Sequence, residues 1–441
     1  MPKSHTGQEL YRAAKRRIPG GTQLLSKRPE MFLPENWPAY YRRAEGCTVW
    51  DLDGNAYVDF TSCGIGCCLL GYADPTVNAA VTDRIAQGSM CSLNTPDELE
   101  LADALCAIHP WAEKVRYARA GGEAMAIAVR IARAATGRAK LAFCGYHGWA
   151  DWYLAANLGE TSALNGHLLP GLDPAGVPDS LRGTAFPFRY NQIAELETIV
   201  AAHGRELAAI VMEPMRHDAP RDGFLEKIRV IADRIGAVLI FDEVTSGWRS
   251  HHGGIHLTLG VDPDIAVFAK SISNGFPMAA IIGRAQPMEA AQHTFVSSTY
   301  WTESIGPSAA LATLKKLRET DAVARIGEIG ELTRRGWRTL GEKHGLKLKV
   351  GGLPALATFG FGQGDDSRLL MTLFTQEMLE RGYLASGVFY PMATHTPAIV
   401  EGYLAAVDAV FAFIRQQTDS GGAKAALRGP IAHTGFARLT G

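Results

Sequence analysis

Charge of one sign is missing from this chain. Its 44 Lys and Arg nearly balance 45 Asp and Glu, for a formal net charge of -1. Such a balance leaves no electrostatic footprint for nucleic acid or an anionic membrane. Basic clusters such as Lys15-Arg16-Arg17 read as solvated helix faces. Long apolar runs are missing too, and no uninterrupted one reaches the length of a bilayer span. Met1 to Leu10 is polar and lacks the apolar core of a secretory leader. Cysteine is scarce and odd in number, at 7. An odd set without a leader argues for a reducing cytoplasm and against a disulfide framework. Cys63, Cys67 and Cys68 lie close together, but no second pair at ligand spacing accompanies them. They are expected to be buried apolar thiols, and no metal is assigned. Gly64-Ile65-Gly66 lacks the third glycine of a dinucleotide fingerprint, which counts against a NAD-dependent oxidoreductase. No repeat of solenoid period is present, and only a Gly/Ala-rich tail after Ser420 is of low complexity.

What is present is a chain of 441 residues, 47% hydrophobic and 20% charged. That suits a large core with a smaller satellite domain. Two apolar segments stand out, Ala208–Met212 and Ala237–Phe241. Each is short and free of charge, as expected for a strand buried on both faces of a parallel sheet. Each ends in acid, Glu213-Pro214 after the first and Asp242-Glu243 after the second. A third, Ile265–Ala269, ends in Lys270. Open parallel sheets bind ligands outside the carboxyl ends of their strands. Asp242 and Lys270 are therefore expected on one rim, although 28 positions apart. A lysine at the end of a buried strand suits Schiff-base chemistry, and a strand-terminal carboxylate suits the ring nitrogen of pyridoxal 5'-phosphate (PLP).

The remaining candidates fall around that rim. Val115–Ala118 reads as a strand, followed by Arg119-Ala-Gly-Gly-Glu-Ala124 and a helical pattern from Glu123 to Thr136. Gly121 and Gly122 would let the backbone approach a phosphate at the helix N-terminus. The strand Lys140–Phe143 ends at Cys144-Gly-Tyr-His-Gly148, where the Tyr146 ring could stack on a flat cofactor. His147 could cover that ring or organise the loop, and Val244 could press on the opposite face. Glu213, at the neighbouring strand end, is grouped with the cofactor residues. Asp151 to Pro187, with Trp152 and Tyr153, reads as a long excursion that could help shape the substrate pocket. Arg216 and His217 in Met215-Arg-His-Asp218 would favour an acidic or polyhydroxylated substrate, or could form salt bridges within their loop. Gly253-Gly254 reads as a flexible link towards the Lys270 strand.

Phe241-Asp-Glu-Val-Thr-Ser-Gly-Trp-Arg249 followed by Phe268-Ala-Lys-Ser-Ile-Ser-Asn-Gly275 resembles the class III aminotransferases, PLP enzymes of fold type I. The likeness leans to the branch around glutamate-1-semialdehyde 2,1-aminomutase and runs from about Gly20 to about Arg415. It implies an α/β protein: a large domain with a mostly parallel sheet between helices, plus a smaller α+β domain. The boundaries expected are 1–70 for an N-terminal segment packing with the small domain, 71–310 for the large PLP domain, 311–420 for the small domain and 421–441 for a tail. The resemblance implies Tyr146 as the stacking aromatic and a threonine of the Phe295–Thr302 segment reaching the phosphate of a neighbouring subunit. Thr299 is the candidate, with Ser298 or Thr302 as shifts of register, and a homodimer follows. It also implies an arginine after Pro19-Gly20-Gly21 for a substrate carboxylate. Lys27 or Arg28 could serve, but Thr22–Arg28 departs from the aminomutase pattern, and a solvated basic pair is the plain alternative. The family more often has Ser-Gly-Thr where this chain has Ala120-Gly121-Gly122, so both hydroxyls are missing.

The expected activity is transamination: an amino group passes from a small-molecule donor to an aldehyde or ketone acceptor, of specialised or carbohydrate metabolism. An aminomutase or a racemase shares the same machinery. A silent PLP-fold binding protein would have no chemical need for Asp242, Tyr146, Gly121, Gly122 and Lys270 together.

Overall fold

The computed structural model describes residues 5–159, 163–165, 167, 171–362 and 366–435. The chain forms two compact units, one of residues 75–320 and one of residues 1–74 with 321–441.

The unit of residues 75–320 is built on a seven-stranded sheet. Its strands are β1 (Lys114–Ala118), β2 (Lys140–Cys144), β3 (Ala185–Pro187), β4 (Leu207–Met212), β5 (Val238–Asp242), β6 (Ile265–Phe268) and β7 (Ala279–Gly283). Their order across the sheet is β1-β7-β6-β5-β4-β2-β3. From β6 to β3 all neighbours are parallel, and β7 runs antiparallel to both β1 and β6. Every residue of β4, β5, β6 and β7 is buried. The unbroken apolar runs follow from that: both faces are covered, so no position alternates to solvent.

The longer helices are α1 (Pro75–Gln87), α2 (Pro96–Ile108), α3 (Gly121–Thr136), α4 (Ile193–His203), α5 (Phe224–Ile235) and α6 (Ile305–Glu319). Pro75 and Pro96 open their helices, where the missing N–H costs nothing. Helices α3 and α5 both stop at a left-handed glycine, Gly137 and Gly236, as a residue without Cβ allows. Leu225, Ile228 and Ile231 of α5 pack against Ile210, Met212, Leu239 and Phe241. On the other side Met125, Ile127 and Ile131 of α3 pack against Val211, Ile240 and Val267. Each such side chain contributes about 1.5–3 kcal/mol on burial.

Two stretches differ from the reading above. Helix α3 starts at Gly121, so both glycines lie inside its first turn. Gly253 and Gly254 are buried and lead into a 3₁₀ turn, Ile255–Thr258. A Cβ on Gly254 would come within 2.8 Å of Glu243 Oε1. This link is packed, not loose, because Glu243 grips His256 behind it.

The other unit has a four-stranded sheet from Tyr41–Glu45, Thr48–Asp51, Ala56–Phe60 and Tyr383–Ala385, and a three-stranded one from Leu348–Gly351, Ala357–Phe361 and Val388–Phe389. The helix Pro397–Asp419 is long and apolar enough by composition to cross a bilayer. Its Val400, Tyr403, Val407, Val410, Phe411 and Ile414 are spent on this unit's core instead. The segment after Ser420 is docked in part: Ala426 O accepts from Gln376, and Ala432 N donates to Thr372. All seven cysteines are free. Among the described residues no His, Cys, Asp and Glu cluster is arranged to hold a metal ion.

Candidate active site

Strands β5 and β6 are parallel neighbours, with Asp242 paired in register to Val267. Asp242 closes β5, and Lys270 begins the short turn after β6. Lys270 has φ +50°, in the left-handed region that a side chain with a Cβ enters at a cost of order 1 kcal/mol. Its Nζ donates to Thr245 Oγ1 at 2.9 Å, in the turn just beyond Asp242. The rim thus joins the two chemical residues through a third.

Asp242 is buried and fixed from two sides. One oxygen accepts the Val244 N–H at 3.0 Å, and the other faces His147 Nδ1 at 2.8 Å. His147 Nε2 lies 3.1 Å from the Cys144 carbonyl. Both ring nitrogens thus face oxygen atoms, which fixes the plane of the ring. The imidazole also stacks on Trp152 at 6.0 Å. Of the two roles open to His147, the geometry is that of a residue organising the loop and orienting Asp242.

The glycines have a steric reason. A Cβ on Gly121 would lie 2.9 Å from Val244 Cγ1, and one on Gly122 would lie 3.2 Å from the indole nitrogen of Trp149. Gly148, at φ +97°, brings its own backbone against Gly122. The first turn of α3 is therefore pressed between the β5 turn and the loop after β2. Its early N–H groups are orphan donors with a partial positive charge, which suits a phosphate. Glu123 completes the start by accepting the Arg119 N–H at 2.9 Å.

Glu213 stands apart from that arrangement. It is buried, and its carboxylate takes Arg216 Nη1 at 3.0 and 3.2 Å and the Tyr146 N–H at 3.0 Å. Burial pushes its carboxyl up, but Arg216, His147, the Tyr146 N–H and Lys270 outweigh burial and hold it below the usual carboxylate range. A Cβ on Gly145, at φ +115°, would come within 3.1 Å of it. In this geometry Glu213 braces the Tyr146 loop, and Arg216 sits in an ion pair inside its own loop. A cavity of about 190 Å³ opens beside them, lined by Gly145, His167, Tyr190, Glu213, Arg216 and His217. Two larger cavities, of about 660 and 760 Å³, hold none of the candidate residues. Chemistry, not size, marks this site.

The other candidates are placed as follows. Tyr146 is half-buried, with its ring edge-on to Tyr153 at 5.9 Å. Trp152 and Tyr153 are buried under the loop, and the Tyr153 hydroxyl donates to the Gly145 carbonyl. Thr299, Ser298 and Thr302 are all exposed. Lys27 and Arg28 belong to the unit of residues 1–74 and 321–441; Lys27 is exposed, and Arg28 is buried with its Nε 3.8 Å from Glu30. Thr245 and Trp149 escaped sequence reasoning. Thr245 lies within the Phe241–Arg249 motif, and a helical turn after a strand brings such a residue back over the rim.

These residues fit PLP. A fixed carboxylate, a lysine at the end of the adjacent strand, and a glycine-lined helix start converge at one end of the sheet. The comparisons agree. The family model Aminotransferase class-III matches residues 34–397, and the chain belongs to that family. It is therefore a PLP-dependent aminotransferase by family. The chain is 32% identical over 383 residues to a 2'-deamino-2'-hydroxyneamine transaminase of Streptomyces kanamyceticus, covering 84% of this chain and 91% of that one. It is 36% identical over 323 residues to a glutamate-1-semialdehyde 2,1-aminomutase of Desulfovibrio desulfuricans, covering 71% and 74%. Among solved structures it resembles the FumI protein of Sphingopyxis sp. MTA144 in a PLP form, with TM-score 0.84, 27% identity, and coverage of 94% and 97%.

Proposed function

We propose that Lys270, Asp242 and the first turn of α3 form the PLP site of a transaminase that aminates an aldehyde or ketone on a polyhydroxylated substrate. The observation that carries the reading is the convergence of these groups at the ends of β5 and β6. The relative acting on a hydroxylated neamine derivative supports the substrate class, as does the polar Arg216–Asp218 loop.

PLP, when bound, draws electrons from the carbon that bears the amino group and carries that group from donor to acceptor. The chain does the rest. Asp242 holds the proton on the ring nitrogen, and His147 keeps its carboxylate turned to that task. The N–H groups of Gly121, Gly122 and Glu123 receive the phosphate. Tyr146 and Val244 would hold the ring from its two faces. The Lys270 amine would take the proton from the substrate carbon that bears the amino group and hold it for return. Arg216 and His217 select the substrate, Arg216 by exchanging Glu213 for a substrate anion.

Thr299 completes the phosphate site of a second copy in a homodimer. Three guanidinium groups support this. Arg116, Arg119 and Arg130 donate to the carbonyls of Val296, Trp301 and Phe295 and hold the segment still. Its Phe295 and Tyr300 side chains stay exposed, at 83% and 68%. An ordered segment that presents bare aromatics suits a partner surface. The free thiols suit the cytoplasm.

The test is the visible spectrum of the purified protein. A yellow band that L-glutamate discharges and a keto acid restores is the expected result. A band that no amino donor discharges would favour the aminomutase reading, which the Desulfovibrio relative keeps in view. No band after added PLP would overturn the site.

A further inference from the structure

The hydrogen bond from Lys270 has a consequence beyond holding a side chain. We propose that Thr245 is the positioning residue for Lys270, aiming its amine for proton transfer. This rests on the reading of Lys270 as the lysine that carries PLP.

The geometry of the partner is unusually constrained. Thr245 is buried, at 9% exposure, and its Oγ1 accepts from Lys270 Nζ at 2.9 Å. The turn that carries it is tied down at both ends. Before it, Asp242 accepts the Val244 N–H, and Val244 packs on the Gly121 backbone. After it, the Ser246 hydroxyl donates to Glu243 at 2.6 Å, and the Gly247 N–H donates to the Glu243 carbonyl at 2.8 Å. The Glu243 carboxylate is fully buried and also accepts the backbone N–H of His256, at 2.9 Å, and meets its Nδ1 at 2.8 Å. A Cβ on Gly247 would lie 2.6 Å from the Glu243 carbonyl oxygen and 2.7 Å from the Phe268 ring. Thr245 therefore cannot follow a wandering lysine; the lysine must come to it.

The chemistry of the partner matters as much. A carboxylate in this place would favour the ammonium form and hold its protons. A hydroxyl is neutral, so it orients the amine while leaving its proton free to move. The strained φ of Lys270 fits this picture: the backbone is bent where the amine is delivered to the fixed Thr245 hydroxyl.

The test compares Thr245→Val, which keeps the shape and removes the hydroxyl, with Thr245→Ser, which restores it. In the full chain stripped of PLP, acylation of Lys270 is followed against pH by peptide mass. Loss of an acceptor for the ammonium should move the Thr245→Val profile to lower pH. In the PLP-loaded protein kcat should fall about tenfold with KM within about twofold, the size expected for one lost hydrogen bond at the reacting group. Thr245→Ser should recover both. An unmoved labelling profile with unchanged kcat, or a serine variant as impaired as the valine one, overturns the proposal. Borohydride reduction of the wild-type holoenzyme keeps the two readings apart. PLP trapped on any residue but Lys270 would overturn the site itself, whatever Thr245 does.

Discussion

Strands β4 and β5 look alike from the sequence. Both are short, apolar and fully buried, both run parallel, and both end in acid. Their acids do different work. Asp242 is held by a backbone N–H and by His147, with no guanidinium on it among the described residues. Glu213 is committed to Arg216 and to the Tyr146 backbone. Glu243, next to Asp242, is different again: it turns to the opposite side and ties down His256 and Ser246. Burial pushes its carboxyl up, but those partners outweigh it and bring it below the usual range. Three buried carboxylates at two strand ends thus divide by partner: one meets His147, one Arg216 and one His256. What separates them is the partner each finds.

The sharpest break of that comparison is at the neighbouring strand end. Lys270→Ala should abolish turnover, with a loss of about 10³-fold or more, while the melting temperature barely moves, because the amine is removed and no core packing is lost. Normal turnover in this variant would sink the assignment of β6. Asp242→Asn comes next. It keeps the size and the Val244 contact but cannot hold a charged ring nitrogen, and a drop of roughly 10²–10³-fold in single-turnover rate is expected. Glu213→Ala should behave in the opposite way. It strands Arg216 partly buried and should cost about 3 kcal/mol in denaturant unfolding. Adding Arg216→Ala should recover much of that loss, since the uncompensated charge is gone. If Glu213→Ala left stability intact and destroyed chemistry instead, the division between the two acids would fall.

The smallest effect lies behind β5. His109 is buried against His256, with ring centres 5.6 Å apart, and burial pushes it down to about 4 from 6.5. Its folded state is neutral where the unfolded chain binds a proton. Stability is therefore present above about pH 6.5 and is lost as pH falls towards 4. At pH 5 the loss should be about 2 kcal/mol from this residue. Denaturant midpoints at pH 7 and pH 5, compared between wild type and His109→Gln, measure it. An equal drop in both would remove His109 from the account.

Much of the site was legible one residue at a time. An apolar run ending in Asp242, another ending in Lys270, and a glycine pair before a helix each carry a local physical reason. Parallel strands place such ends on one rim whatever lies between them. The antiparallel β7 could not be read this way, because an apolar strand has the same composition in either direction. The partners of Glu213, Arg216 and the Tyr146 N–H, could not be read for a related reason. A strand end says that a side chain leaves the sheet, but not which neighbour will meet it. The glycines at 121 and 122 were legible as a close approach, but the bodies that approach, Val244 and Trp149, come from segments 123 and 27 positions further along.

By itself the sequence determined the alternation of buried strand and helix, the strand-terminal acid and lysine, and with them the chemistry. Only the tertiary structure decided which acid meets His147, which one braces a loop, and that Thr245 receives the lysine. The reason is that hydrophobic burial is written in the local pattern of residues. Hydrogen-bond partners depend on distance and angle between segments, which no local pattern records.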